Sequence, residues 1–123
     1  MTKDNIIPSP SDIAETAIHG ILERKGQEVK LLDLRNVDHA VCDYFIVCHG
    51  SSHINVEAIA NSAEDELRKK FAEKPLHREG YDNAEWIILD YFNVVIHVFQ
   101  KEFRSFYNLE DLWADAKVTE IES

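Results

Sequence analysis

The sequence predicts one α/β domain, a mixed β-sheet with flanking helices stacked in two or three layers. Three observations carry that reading. A nearly continuous apolar run, Cys42-Asp43-Tyr44-Phe45-Ile46-Val47-Cys48, has the length of a strand covered on both faces. Residues 86–99 alternate with period two on either side of a short break, the pattern of a β-hairpin. Between and before these, Ile13 to Leu22 and Val56 to Phe71 repeat their apolar positions at helical spacing. Paired strands with helices around them make a layered mixed sheet the economical arrangement, and an all-parallel sheet is not expected.

The first helix starts at Ser9-Pro10-Ser11-Asp12, with Ser9 as N-cap, Pro10 at the first helical position and Asp12 closing a capping box. Ile13, Ala17, Ile18, Ile21 and Leu22 form its apolar stripe, and Gly26 ends it near Lys25. Residues 28–35 read as a strand and 36–40 as a turn. After the apolar run, His49-Gly50-Ser51-Ser52 stops the strand, and Ser51 or Ser52 caps a second helix. Val56, Ile59, Ala60, Ala63, Leu67 and Phe71 are its buried stripe, Glu57, Glu64, Asp65, Arg68 and Lys69 look outward, and Pro75 cannot continue it. Residues 76–84 read as a polar connection into the hairpin. Beyond the hairpin, residues 101–107 and 108–113 suggest one broken or two short helices with Asn108 as a cap, and 117–123 a weak strand or a disordered tail.

A chain of 123 residues with an apolar fraction of 45% fits one compact domain and leaves no room for a second. No stretch approaches the roughly 20 apolar residues that span a bilayer, and Met1-Thr2-Lys3-Asp4 lacks the features of a secretory signal, so a cytoplasmic location without a membrane partner is expected. The formal net charge of -10, from 13 Lys and Arg against 23 acids, argues against gripping nucleic acid by phosphate neutralisation and suits a basic protein partner. Cys42 and Cys48 share one apparent strand, about 20 Å apart at about 3.3 Å per residue, too far to bridge each other. They read as small buried thiols.

The hairpin is the most informative segment. With the turn at Phe92 and Asn93, Tyr91 opposes Val94, Ile88 opposes His97 and Trp86 opposes Phe99. One face then carries Ile87, Leu89, Tyr91, Val94, Ile96 and Val98, a continuous apolar set that must meet a core. The other carries Trp86, Ile88, Asp90, Val95, His97 and Phe99. That mixture of large apolar groups with an acid and an imidazole is expected of a surface that a partner covers. The alternative is a helix of the chain itself covering this face, with Asp90 and His97 as a satisfied internal pair. Self-association through the same face, as a homodimer, is a third reading. The turn is the poorly fitting signal, because tight two-residue turns favour Asn-Gly and the first position here is Phe92. A longer loop, or a one-residue slip that exchanges the two faces, stays open.

Chemistry-bearing groups are sparse. Gly50-Ser51 between a strand and a helix resembles the phosphate-holding turn of nucleotidyltransferases. Such an enzyme, which is the rival function, also needs paired carboxylates for metal ions, and Glu64-Asp65-Glu66 lies within a helix where consecutive side chains diverge by about 100°. These acids read as a solvated helix face. His49 and His53 straddle a cap with no third ligand placed nearby by sequence, and read as solvated or capping groups rather than metal ligands. Cys48 and His49 are neighbours on a strand and point to opposite faces, so they form no thiol-imidazole dyad. Trp113, with Leu109 and Leu112, reads as docking a terminal helix on the core. No catalytic, cofactor-binding or metal residues are assigned.

The run Cys42–Cys48, Gly50-Ser51-Ser52, Arg78-Glu79-Gly80, Trp86–Tyr91, Val94–Phe99 and Tyr107-Asn108-Leu109-Glu110-Asp111-Leu112-Trp113, in this order and spacing, resemble the Iojap-like ribosomal silencing factors, or RsfS family. Each fragment is unspecific alone. The resemblance runs from the first helix to about Asp115 and implies a domain at 9–115, a flexible N-terminus at 1–8 and a tail at 116–123. It implies a nucleotidyltransferase-like fold without an active site, no enzymatic activity and no cofactor. It further implies binding to the large ribosomal subunit through ribosomal protein L14, steric blocking of the small subunit, and repression of translation under nutrient limitation, with little direct RNA binding. The implied partner-binding residues are Trp86, Ile88, Asp90, Tyr91, Val95, His97 and Phe99. Trp86 and Phe99 are expected to supply most of the apolar contact, Asp90 and His97 its polar specificity. Where the family often has Gly-Asp in the hairpin turn this chain has Phe92-Asn93, and Ser51 stands where Thr often precedes the capping Ser.

Overall fold

The computed structural model describes residues 7–122, so the expected flexible N-terminus lies outside the described residues except for Ile7 and Pro8. Among the described residues six strands form one mixed sheet. In chain order the elements are α1 (Pro10–Glu23), β1 (Gln27–Asp33), β2 (Tyr44–Gly50), α2 (His53–Phe71), β3 (His77–Glu79), β4 (Trp86–Asp90), β5 (Val94–Gln100), α3 (Lys101–Tyr107), α4 (Leu109–Leu112) and β6 (Lys117–Glu120). The spatial order is β3-β4-β5-β2-β1-β6, and only the central β2 and β5 run parallel.

α1 starts as its sequence dictates: the Asp12 N–H donates to Ser9 Oγ and the Ser9 N–H donates to the Asp12 carboxylate, both at 3.0 Å. Its end departs from expectation. Lys25, not Gly26, takes the left-handed backbone at φ 63, and Gly26 is needed because a β-carbon there would collide with the Ile21 side chain. β2 is buried at every position, which accounts for the near-absence of alternation in its sequence. It begins after Cys42 and continues through His49 and Gly50, so the two cysteines do not share the strand; both are free. Ser52 is the cap of α2, accepting from the Asn55 N–H at 3.1 Å, and the helix stops at a left-handed Ala72, φ 56, ahead of Pro75.

One element was not legible as such: β3 falls in the expected connection, an exposed edge strand whose three side chains carry no alternation to read. Of the two readings of residues 117–123 the strand holds, because β6 pairs antiparallel with β1 and supplies the other edge of the sheet. Asn108 joins α3 to α4 with a left-handed backbone, φ 48, and its side chain donates to Asp111 instead of accepting a helix N–H.

Helices lie on both faces. α1 and α2 close one face over Ile46, Cys48, Ile87, Leu89, Tyr91, Val94, Ile96 and Val98. The opposite face holds a smaller cluster, Leu32, Leu34, Phe45, Val47 and Phe99 with Leu109 of α4, flanked by half-buried Trp86, Val95, Phe103 and Trp113.

Candidate functional site

The β4–β5 hairpin has the register expected from its alternation: Trp86 pairs with Phe99, Ile88 with His97 and Asp90 with Val95. The turn is tight in spite of its sequence. Phe92 takes a left-handed backbone, φ 74, the Asn93 N–H donates to the Tyr91 carbonyl at 2.9 Å, and Asp90 Oδ1 accepts the Phe92 N–H at 2.8 Å. The Asp90 carboxylate thus stabilises a three-residue reversal that would otherwise favour glycine. Asp90 and His97 are therefore not an internal pair. The connection before β1's partner docks on this turn, because the Asp43 and Tyr44 N–H groups both donate to the Asn93 carbonyl, at 3.0 and 3.1 Å.

On the second face of the hairpin the sequence-predicted residues divide. Trp86, Ile88, Asp90 and Val95 are partly exposed, whereas His97 is 4% and Phe99 0% exposed. Phe99 lies beneath Trp86 and Tyr107, at ring-centroid distances of 5.0 and 6.1 Å, so it cannot supply direct contact with a partner; that expectation is corrected. His97 is covered by Phe45 and Trp86, at 4.5 and 5.9 Å, and supplies no exposed polar group. Tyr91 belongs to the other face, 6% exposed in the α1/α2 core. The same face was thus read correctly by alternation, but α3 covers its Phe99 end, and part of the chain-covers-itself alternative holds.

His97 Nδ1 lies 3.1 Å from Trp86 Nε1. The indole nitrogen can only donate, so Nδ1 accepts and the imidazole proton resides on Nε2. Nε2 is buried without a partner among the described residues. Burial pushes the His97 pKa down to about 3, keeping the ring neutral. Gly80, at φ 91, lets the segment after β3 cross the Trp86 carbonyl, where a β-carbon would collide with that oxygen.

Sequence reasoning missed Arg104, which pins α3 to the sheet. It is 7% exposed; its guanidinium donates to Glu110 Oε2 from Nε and Nη2 at 3.2 and 2.9 Å, and from Nη1 to the Glu28 carbonyl at 2.8 Å and to His49 Nδ1 at 3.0 Å. His49 is accordingly buried and bonded, not solvated or capping, and burial followed by the nearby Arg104 charge lowers its pKa. A lone Arg in an exposed helix pattern gives no sequence signal for this role. Trp113 packs edge-on against Phe45 at 6.0 Å and Leu109 is buried, as expected for docking a terminal helix, whereas Leu112, expected to dock with them, is 71% exposed.

The nucleotidyltransferase-like features are spent inside the protein. The Ser51 N–H, which would face a phosphate, donates to Asn55 Oδ1 at 3.0 Å. Glu64 is not solvated: it accepts two bonds from Arg78 and one from the Tyr81 hydroxyl, and Asp65 accepts from Arg68. Among the described residues no group of His, Cys, Asp and Glu is arranged to hold a metal ion, and no helix is long and apolar enough to cross a membrane.

Fold and face together define a small single-sheet α/β protein whose one sheet face is closed by two long helices and whose other is only partly covered. The chain belongs to the RsfS family: residues 7–123 match the family described as "Ribosomal silencing factor during starvation". It is similar to the ribosomal silencing factor RsfS of Halalkalibacterium halodurans, 36% identical over 117 residues, covering 93% of this chain and 96% of the relative. RsfS of Bacillus subtilis is 37% identical over 100 residues, covering 81% and 83%. A crystal structure of a protein from Chromobacterium violaceum superimposes with a TM-score of 0.81 at 28% identity, covering 94% of each chain.

Proposed function

We propose that this chain is a non-catalytic ribosomal silencing factor that lays its partly covered sheet face on the large ribosomal subunit at ribosomal protein L14. Occupied volume then blocks the small subunit, and translation is repressed in the cytoplasm when nutrients are limiting. The observation that carries this reading is the half-exposed row Trp86, Ile88 and Val95, an apolar surface with the Asp90 carboxylate at its turn end. Family membership supports the ribosome as partner, since the similar proteins are named ribosomal silencing factors. The choice of L14 rests on the family resemblance alone. A net charge of -10 suits a basic protein surface and disfavours extensive contact with RNA phosphates.

In this reading Trp86 is the anchor, Ile88 and Val95 flank it, and Asp90 both holds the turn and marks the rim. His97 and Phe99 act from beneath, and Tyr91 from the opposite core. Sedimentation with separated large subunits, separated small subunits and joined ribosomes tests it. Binding to large subunits alone is expected, weakened about thirtyfold or more by Trp86→Ala, since truncating a central aromatic anchor commonly costs about 2 kcal/mol or more. The fold should survive, because the α1/α2 core does not include Trp86. Parent-like binding by the variant would sink the face assignment, and saturable binding of ATP, GTP or CTP with magnesium would favour the enzyme.

A further inference from the structure

We infer that His97 is the positioning residue of the docking face: its Nδ1 fixes the Trp86 indole in the orientation that presents the ring's outer side to the partner. This rests on the docking reading above.

Three rings define the indole's setting. Trp86 lies 5.0 Å from Phe99 with planes 24° apart, and 4.6 Å from Tyr107 with planes 44° apart. Phe99 and Tyr107 are themselves only 6.1 Å apart, far less than the sum of the other two distances. The three rings therefore form a triangle, not a sandwich, and Trp86 stays partly exposed. Stacking alone lets an indole slide and rotate in its plane, because ring contacts tolerate offset. A directional bond from the ring edge removes that freedom. The 3.1 Å bond from Trp86 Nε1 to His97 Nδ1 is that bond, made by the residue directly across the hairpin's neighbouring rung.

The imidazole is a poor choice for stability, which is why the arrangement points to function. Accepting at Nδ1 commits the proton to Nε2, and Nε2 is buried without an acceptor among the described residues. The Phe45 ring, 4.5 Å away and inclined by 63°, offers only a weak π contact. An aliphatic side chain here would exchange the buried, orphaned Nε2 donor for the indole N–H of Trp86, a half-exposed residue that water can reach. A group that leaves one polar atom unsatisfied to hold another side chain's edge serves that side chain's presentation, and a partner that meets a pre-ordered indole loses less freedom on binding.

The test uses the full-length chain with ¹⁵N labelling and large ribosomal subunits. His97→Leu removes the acceptor at similar volume; His97→Asn returns an acceptor oxygen near the position of Nδ1. The Trp86 indole N–H, identified by its loss in Trp86→Phe, is followed by chemical shift and by hydrogen exchange, alongside affinity for large subunits. His97→Leu should stay folded with undiminished thermal stability, lose the protected indole N–H and bind about three- to tenfold more weakly. His97→Asn should restore both. Adding His97→Leu to Trp86→Phe should cost nothing further, since the bond is already gone. Unchanged indole exchange or undiminished affinity in folded His97→Leu would overturn the inference. If His97→Leu does not fold, the Asn variant against His97→Gln, whose amide reaches past Nδ1, supplies the same comparison: equal affinities would overturn it. Failure of the parent to bind large subunits would defeat the docking reading instead, and the indole exchange would then still show whether His97 fixes Trp86.

Discussion

The two faces of the sheet are closed by different means. On one, α1 and α2 lay long apolar stripes over Ile46, Leu89, Ile96 and Val98, each 0% exposed, and stability there comes from area and fit. On the other, the short α3 and α4 bury little beyond Leu109, and attachment relies on Arg104, whose guanidinium ties α3 to Glu110, the Glu28 carbonyl of β1 and His49. The imidazoles and the guanidinium that are buried, His49, His97 and Arg104, all lie on this second side. The difference teaches that the first face is built to hold and the second to be held in part, leaving Trp86, Ile88 and Val95 for something else to cover.

That contrast can be broken at its hinge. Arg104→Met should cost about 2 to 3 kcal/mol in urea unfolding, because it takes the donor from the Glu28 carbonyl and leaves the partly exposed Glu110 only Lys30, 3.8 Å away. Hydrogen exchange should rise in α3 and α4 first. A loss under about 1 kcal/mol would show that apolar contact, not the guanidinium, holds these helices. Leu67→Ala, a cavity in the closed face, should cost about 2 to 5 kcal/mol while leaving the folded protein's affinity for large subunits unchanged. Weakened affinity would mean that the faces are coupled. With Trp86→Ala, which should weaken affinity strongly while also costing some stability because the indole covers Phe99 and bonds His97, the two substitutions separate the roles of the faces by affinity.

The smallest effect sharpens the same division through pH. His97 is held neutral with a pKa near about 3, against 6.5 for the free side chain. The unfolded chain takes up a proton below about pH 6.5 that the folded chain refuses, so stability is full above that pH and is lost as pH falls toward 3, at a slope approaching about 1.4 kcal/mol per pH unit. His49, lowered by burial and by Arg104, acts in the same direction. Urea midpoints at pH 7, 6 and 5 should fall, and His97→Leu should flatten the trend. An unchanged slope would remove His97 as its source.

Much of the fold was legible because its signals are local. Ser9, Pro10 and Asp12 satisfy helix-end donors within one turn, and the structure has both bonds of the box. The hairpin register followed from side-chain alternation, since a slip of one residue would have turned Ile87, Leu89, Ile96 and Val98 into water. Even the poor turn keeps that register, with Asp90 accepting the Phe92 N–H. The edge strand β3 escaped, and β6 was legible only as one of two alternatives, because exposed edge residues need no apolar pattern and their state is decided by a neighbour that local sequence does not contain.

What the sequence determined by itself was the order of elements, the two faces of the hairpin and the family motifs, all properties of spacing along the chain. Only the tertiary structure decided how each face is used. Exposure of Trp86 but not Phe99 depends on how α3 brings Tyr107 back over the sheet, the tautomer of His97 on Trp86 across the hairpin, and the burial of Arg104 on Glu28 and His49, 76 and 55 positions away. Burial and hydrogen-bond satisfaction are settled by what packs against a group, and periodicity specifies which side a residue faces without saying what will be there to meet it.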